Sequence, residues 1–186
     1  MSPRLGDSLR TDPLLWLTGL ISAGLLAVMN LRDAARFGDL THGRTMPDFD
    51  VGSTPESLLA LRDFLASRPE AAETLRAMHL QADLVLPAAL TLFLILAIRR
   101  LVPGAIVYGR PAEKLLPLLL VFPILYGLTD YVENAISLML FPPAAPEPAL
   151  AALLANALGW ATRLKFLAVT IAGVTVTRLL IARFAR

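Results

Sequence analysis

The chain has 186 residues, of which 56% are hydrophobic and 17% charged, and its mean hydropathy is +0.63. That is too little charge to cover a soluble domain of this size and marks a membrane protein. A net charge of +2, with the basic residues grouped at the ends of apolar runs, argues against a nucleic-acid partner. The absence of cysteine excludes disulfides, thiol nucleophiles and thiolate metal sites, and two histidines, His42 and His79, exclude a histidine-rich metal centre.

Four spans are predicted by length and hydropathy. The first covers about 14–31. Arg4 and Arg10 precede it as in a signal peptide, but Asn30-Leu31-Arg32-Asp33 lacks a small-x-small cleavage pattern, so it is read as a retained span. Gly19, Ala23 and Ala27 give it a stripe of small residues, which lets a neighbouring helix approach closely. The segment from Phe37 to Asp50 is loop chemistry, rich in Gly, Asp and Pro.

Ser53-Thr54-Pro55-Glu56 then has the form of a helix start, with a hydroxyl cap, a first-turn proline and an early acid. Leu58, Leu61 and Leu65 recur on one face, so 54–67 is expected to be a short amphipathic helix. A second start at Ser67-Arg68-Pro69-Glu70 is expected to run unbroken through His79 and Asp83 into the second span, about 80–98. The third span, about 115–141, carries Asp130, Glu133 and Asn134 at i, i+3 and i+4, all on one helical face. Pro87, Pro117 and Pro123 interrupt spans two and three, where kinks are expected if neighbours satisfy the freed carbonyls. The fourth span, about 162–182, has Ala168 and Ala172 as a second small-residue stripe. The chain is therefore expected to be all-α, a single integral membrane domain over 1–186, built as a four-helix transmembrane bundle with the amphipathic helix in the loop between spans one and two.

Basic residues orient the bundle. The loop between spans two and three holds Arg99, Arg100, Arg110 and Lys114, whereas Pro142–Pro148 has none. With Arg4 and Arg10 at one terminus and Arg178, Arg183 and Arg186 at the other, the positive-inside rule predicts both termini in the cytoplasm. The first loop holds six arginines but also eight acids. At about 1.5 Å per residue, Asp130 falls near the midplane and Glu133 about 7 Å toward the outer face. Asp83, His79, Arg163, Lys165 and Asn30 fall farther outward still. The polar groups thus converge on the outer half of the bundle.

Intramembrane ionisable groups are costly and mark partners, pathways or reactions. Asp83, Asp130, Glu133 and His79 are the candidate catalytic set, one carboxyl serving as general acid and another as base, with His79 as relay. Asn134, Asn30, Arg163 and Lys165 are candidate ligand-binding residues. A metal held by His79, Asp83, Asp130 and Glu133 on facing helices is a weaker alternative, because one imidazole and hard oxygens make a nonspecific set; no cofactor is expected. Against a working site stands mutual neutralisation, in which Lys165, Arg163 and Arg32 pair with the carboxylates to lock four helices. Taken alone, Arg163 and Lys165 suit snorkelling to the interface.

The residues Ser53-Thr54-Pro55-Glu56, Leu80-Gln81-Ala82-Asp83 leading to Pro87, and Asp130-Tyr131-Val132-Glu133-Asn134 resemble small four-span bacterial membrane proteins with a D-x-x-E-N element in the third span. The resemblance covers roughly 50–140 and implies a bacterial inner membrane, while supplying no catalytic residue. Two classes of function remain open on the sequence. One is a protein that handles a lipid or isoprenoid-like substrate, by acid–base chemistry or by binding. The other is a non-enzymatic accessory or assembly subunit whose polar cluster is structural. Membrane lipids are the expected partners, with a membrane-protein partner or a homo-oligomer as alternatives.

Overall fold

In the computed structural model, residues 12–107 and 109–184 are described; Arg4, Arg10 and Arg186, used above for orientation, lie outside them. The chain is all-α apart from one two-residue hairpin, Ile106–Val107 against Arg110–Pro111. Helix α1 (Pro13–Val28) passes through a π-helical turn (Met29–Ala34) into α2 (Ala35–Leu40). A 3-10 turn at Pro47–Phe49 leads to α3 (Pro55–Ala66) and α4 (Pro69–Leu80), which lie ahead of α5 (Ala82–Leu101). After the hairpin come α6 (Leu116–Leu140) and α7 (Pro148–Phe184). Four of the resulting stretches, Pro13–Leu40, Pro69–Leu101, Ala112–Leu140 and Pro148–Arg183, are long and apolar enough to cross a membrane. Their outward faces carry Leu20, Leu118, Leu128, Leu153, Leu167 and Val174 in the open, an apolar belt that water would penalise and lipid covers.

Local chemistry explains the element ends. Asp12 caps α1 by accepting from the Leu15 amide at 3.2 Å. Thr54 and Ser57 cap α3 reciprocally, each side chain accepting from the other's backbone N–H. In that first turn the Glu56 carboxylate is held below its ordinary range by its backbone hydrogen bond and by the Thr54 side chain. The amphipathic pattern of α3 buries Leu58, Leu61 and Leu65. Those leucines join Met29, Phe37, Leu75, Leu140 and Leu158 in the larger of two apolar clusters. The smaller cluster, around Ile98, Val107 and Leu179, holds the opposite end, where the hairpin lies.

Two expectations are corrected. The helix through His79 is not continuous: Gln81, at φ −120° and ψ −91°, ends α4 and starts α5. The fourth helix, Pro148–Phe184, contains the stretch expected at about 162–182, and ahead of it Leu154, Ala155 and Leu158 are buried in the large cluster. In α1 the buried face holds Leu15, Thr18 and Ser22, while Ala23 and Ala27 are exposed, so the small-residue stripe is not a packing seam as a whole. Gly19 alone serves that role, since a Cβ there would stand 3.0 Å from the Phe93 ring. On α7 the stripe packs as expected, with Ala168 and Ala172 buried. The tightest approach is at Gly127 of α6, where any Cβ would collide with the Thr91 side chain on α5.

Candidate functional site

Pro87 explains how the site begins. It sits inside α5 without an N–H, so the carbonyl four residues earlier, that of Asp83, loses its helical donor. Asn134 on α6 replaces that donor, giving its Nδ2–H to the Asp83 carbonyl at 3.1 Å. One turn from this kink, Tyr131 donates its hydroxyl to the Leu84 carbonyl at 3.0 Å. The Asn134 bond to the Asp83 carbonyl fixes the amide, so its Oδ1 faces His79 Nδ1 at 3.1 Å. His79, at the end of α4, lies one helical turn before Asp83, whose Oδ2 stands 3.2 Å from the same Nδ1. The other ring nitrogen, Nε2, is 2.7 Å from Ser137 Oγ. His79, Asp83, Asn134 and Ser137 are all buried.

A second group abuts the first. Lys165 Nζ on α7 lies 3.4 Å from Asp130 Oδ1 and contacts Glu133 Oε2 directly. Thr162, one turn back on α7, donates its hydroxyl to Glu133 Oε1. Asp130 and Glu133 thus point into the bundle, as the shared face of α6 predicts, and are 2% and 0% exposed. The two acids share one counter-ion, the Lys165 ammonium, which offsets the cost of burying them.

Joining both groups is a cavity of about 280 Å³. Its lining combines Asp48, Asp83, Asp130, Lys165 and Tyr126 with the apolar Leu26, Leu86, Leu90, Phe166 and Val169. Helix α1 packs along α5 and hardly touches α7, so the cavity sits in the cleft between the first and last spans. The π-helical turn at this place brings Met29 and Asn30 onto the cavity wall. Extra turns of this kind often mark functional positions.

Of the candidates read from the sequence, His79, Asp83, Asp130, Glu133, Asn134 and Lys165 come together. Asn30 reaches the cavity rim, although its amide is engaged by the Leu26 carbonyl at 2.8 Å. Arg163 does not join them. Its guanidinium donates to the Ser53 carbonyl at 2.9 Å and lies over the Trp160 ring, so it ties α7 to the segment before α3. Arg32 pairs with its neighbour Asp33 at 2.7 Å and is mostly exposed, so it neutralises no carboxylate of the cluster. The expected four-ligand metal set also divides: Asp130 and Glu133 face Lys165, and the third carboxylate beside His79 and Asp83 is Asp48.

Asp48, Ser137, Thr162 and Tyr126 were not legible as site residues. Asp48 stands in the short turn Pro47–Phe49, 2% exposed, with Oδ2 3.6 Å from His79 Nδ1. A single acid among several in a polar loop carries no sequence signal for such burial. The i, i+3 and i+7 spacing of Asp130, Glu133 and Ser137 on α6 was the one available pointer to Ser137. No family model, curated protein or solved structure matches the chain.

Proposed function

We propose that the cavity receives the polar end of a lipid or isoprenoid-like molecule, and that the carboxylates and Lys165 bind it and act on it as acid and base. The observation that carries this reading is the mixed lining of the cavity, which sets ionisable and apolar side chains around one space. Carboxylates and an ammonium line it together with leucine, phenylalanine and valine. Its volume lies at the lower end of the range for small-molecule sites, suited to a headgroup or a short chain. Such a ligand would enter from the bilayer between α1 and α7. Asp130 and Glu133 share Lys165 as a counter-ion, so one can hold a proton while the other accepts one without leaving the pair uncompensated.

Filling the cavity is the direct test. Val169→Trp, one turn from Lys165 on α7, fills the cavity while keeping every charged side chain. Lipid co-purifying with the protein in mild detergent, identified by mass spectrometry, is expected to fall at least about tenfold, the equivalent of 1.4 kcal/mol. Retention equal to wild type would remove the binding reading. A second reading is favoured by one observation: Lys165 satisfies both Asp130 and Glu133, so this half of the cluster can serve as interhelical structure in an accessory or assembly subunit.

We also propose a bacterial inner-membrane location with both termini in the cytoplasm. The cluster then lies in the outer half of the bilayer. Reporter fusions are expected to place Ala105 inside and Asp50 and Ala145 outside, following the arginines around the hairpin loop. A fusion at Ala105 active only outside the cytoplasm would reverse the assignment.

A further inference from the structure

We infer that Asp48, His79 and Asp83, with the side-chain oxygen of Asn134, bind a divalent transition-metal cation of the zinc or manganese type. Three observations converge on it. First, His79 Nδ1 faces three oxygens at once: Asn134 Oδ1 at 3.1 Å, Asp83 Oδ2 at 3.2 Å and Asp48 Oδ2 at 3.6 Å. A ring nitrogen carries at most one proton, so at most one of these oxygens gains a hydrogen bond from it. Four ligands at 2.0–2.1 Å around a tetrahedral ion stand about 3.3 Å apart, and the three spacings bracket that edge.

Second, Asp48 is 2% exposed and neither of its carboxylate oxygens has a hydrogen-bond partner. A buried carboxylate left this way costs more than the loop gains by burying it, unless a cation completes it. The ligand atoms of Asp48, His79 and Asp83 all lie within 4.8 Å of one another. Third, the charges do not balance. Asp48, Asp83, Asp130 and Glu133 are four buried carboxylates, against Lys165 and, when protonated, His79. With every carboxylate ionised and His79 neutral as a ligand, the excess is 4 − 1 = 3 negative charges, which a divalent ion lowers to 3 − 2 = 1.

The surroundings suit such an ion. With the metal on Nδ1, the Nε2–H donates to Ser137 Oγ, the hydrogen-bonded outer partner that orients ligating histidines. The Asn134 oxygen is held in place because its amide nitrogen is committed to the Asp83 carbonyl freed by Pro87. One imidazole and three oxygens suit zinc or manganese, and without a thiolate they do not suit an iron–sulfur centre. The cavity reaches Asp48 and Asp83, which gives an ion a path of entry to the site. This inference stands independently of the lipid reading.

The test uses the full chain in mild detergent, purified through a tag without histidines. Protein is stripped with chelator, incubated with zinc or manganese alone, desalted, and measured by elemental mass spectrometry. Wild type is expected to retain about one ion per chain. Asp48→Asn and Asp83→Asn, which preserve shape, are expected to retain little, and Ser137→Ala to weaken affinity about 10–100-fold. The exposed Asp63→Asn should match wild type. Wild type that retains neither ion overturns the proposal, whatever the variants do. So does retention by Asp48→Asn equal to wild type, which would place the ion elsewhere. Because Ser137→Ala touches no ligand atom, its affinity reads the site even if an aspartate variant fails to fold.

Discussion

Lys165→Met is expected to destabilise the bundle by about 3–5 kcal/mol, the cost of removing one partner from a buried ion pair. Lys165 is the only cation that the described residues bring within 4 Å of Asp130 or Glu133, and both carboxylates are almost fully enclosed. Methionine keeps the length and apolar stem but leaves two acids facing one another. Ordinary interhelical hydrogen bonds in membranes average only about 0.6 kcal/mol, so the two magnitudes are separable. Reversible unfolding by a denaturing detergent, followed by helical circular dichroism, measures the difference. Adding Glu133→Gln to Lys165→Met should restore a large part of the loss, because one of the stranded charges is then gone. A Lys165→Met variant within about 1 kcal/mol of wild type would mean that the acids are not held as ions by this lysine.

Much of the fold was legible because hydropathy and cap chemistry act locally. The four apolar stretches and the Thr54 start of α3 follow from neighbours within a turn or two. The shared face of Asp130, Glu133 and Asn134 follows from helical spacing alone, whereas His79 and Asp83 meet across the break at Gln81. The choice between Arg163 and Lys165 was also open to geometry. Two residues along a helix turn about 200°, so only one of them can face the bundle interior. Lys165 does, and Arg163 turns toward Ser53 and Trp160.

What stayed hidden depends on contacts distant in sequence. Asp48 reaches His79 from a loop whose path is fixed by Met46, Phe37 and α3, not by any local pattern. The break at Gln81 lies within a run of good helix formers, and nothing in their propensities places it there. Thr162 becomes meaningful only once Glu133 is known to point at it. The role of Asn134 likewise combines two facts separated by about fifty residues, a proline that strands a carbonyl and an amide that supplies the missing donor.

Glu133→Gln and Asp130→Asn are expected to abolish ligand retention or turnover while the bundle stays folded. Both replacements keep volume and hydrogen-bonding capacity and remove the titratable proton. In Glu133→Gln, the amide oxygen can face Lys165 and the amide nitrogen can donate to the Thr162 hydroxyl, which accepts as well as donates. Lys165 also keeps Asp130 at 3.4 Å, so one counter-charge remains. In Asp130→Asn the roles reverse, and Glu133 stays in contact with the ammonium. Each single variant therefore leaves a balanced pair, and its stability should lie within about 1–2 kcal/mol of wild type. Removing the lysine leaves no such pair, which is why that loss is the larger one. Detergent stability and co-purifying lipid are measured together on both variants. Folded protein that has lost its lipid assigns the carboxylates to a working site. Marked destabilisation with lipid retention unchanged assigns them instead to holding α6 against α7, and the acid–base reading then fails even if the cavity still binds lipid.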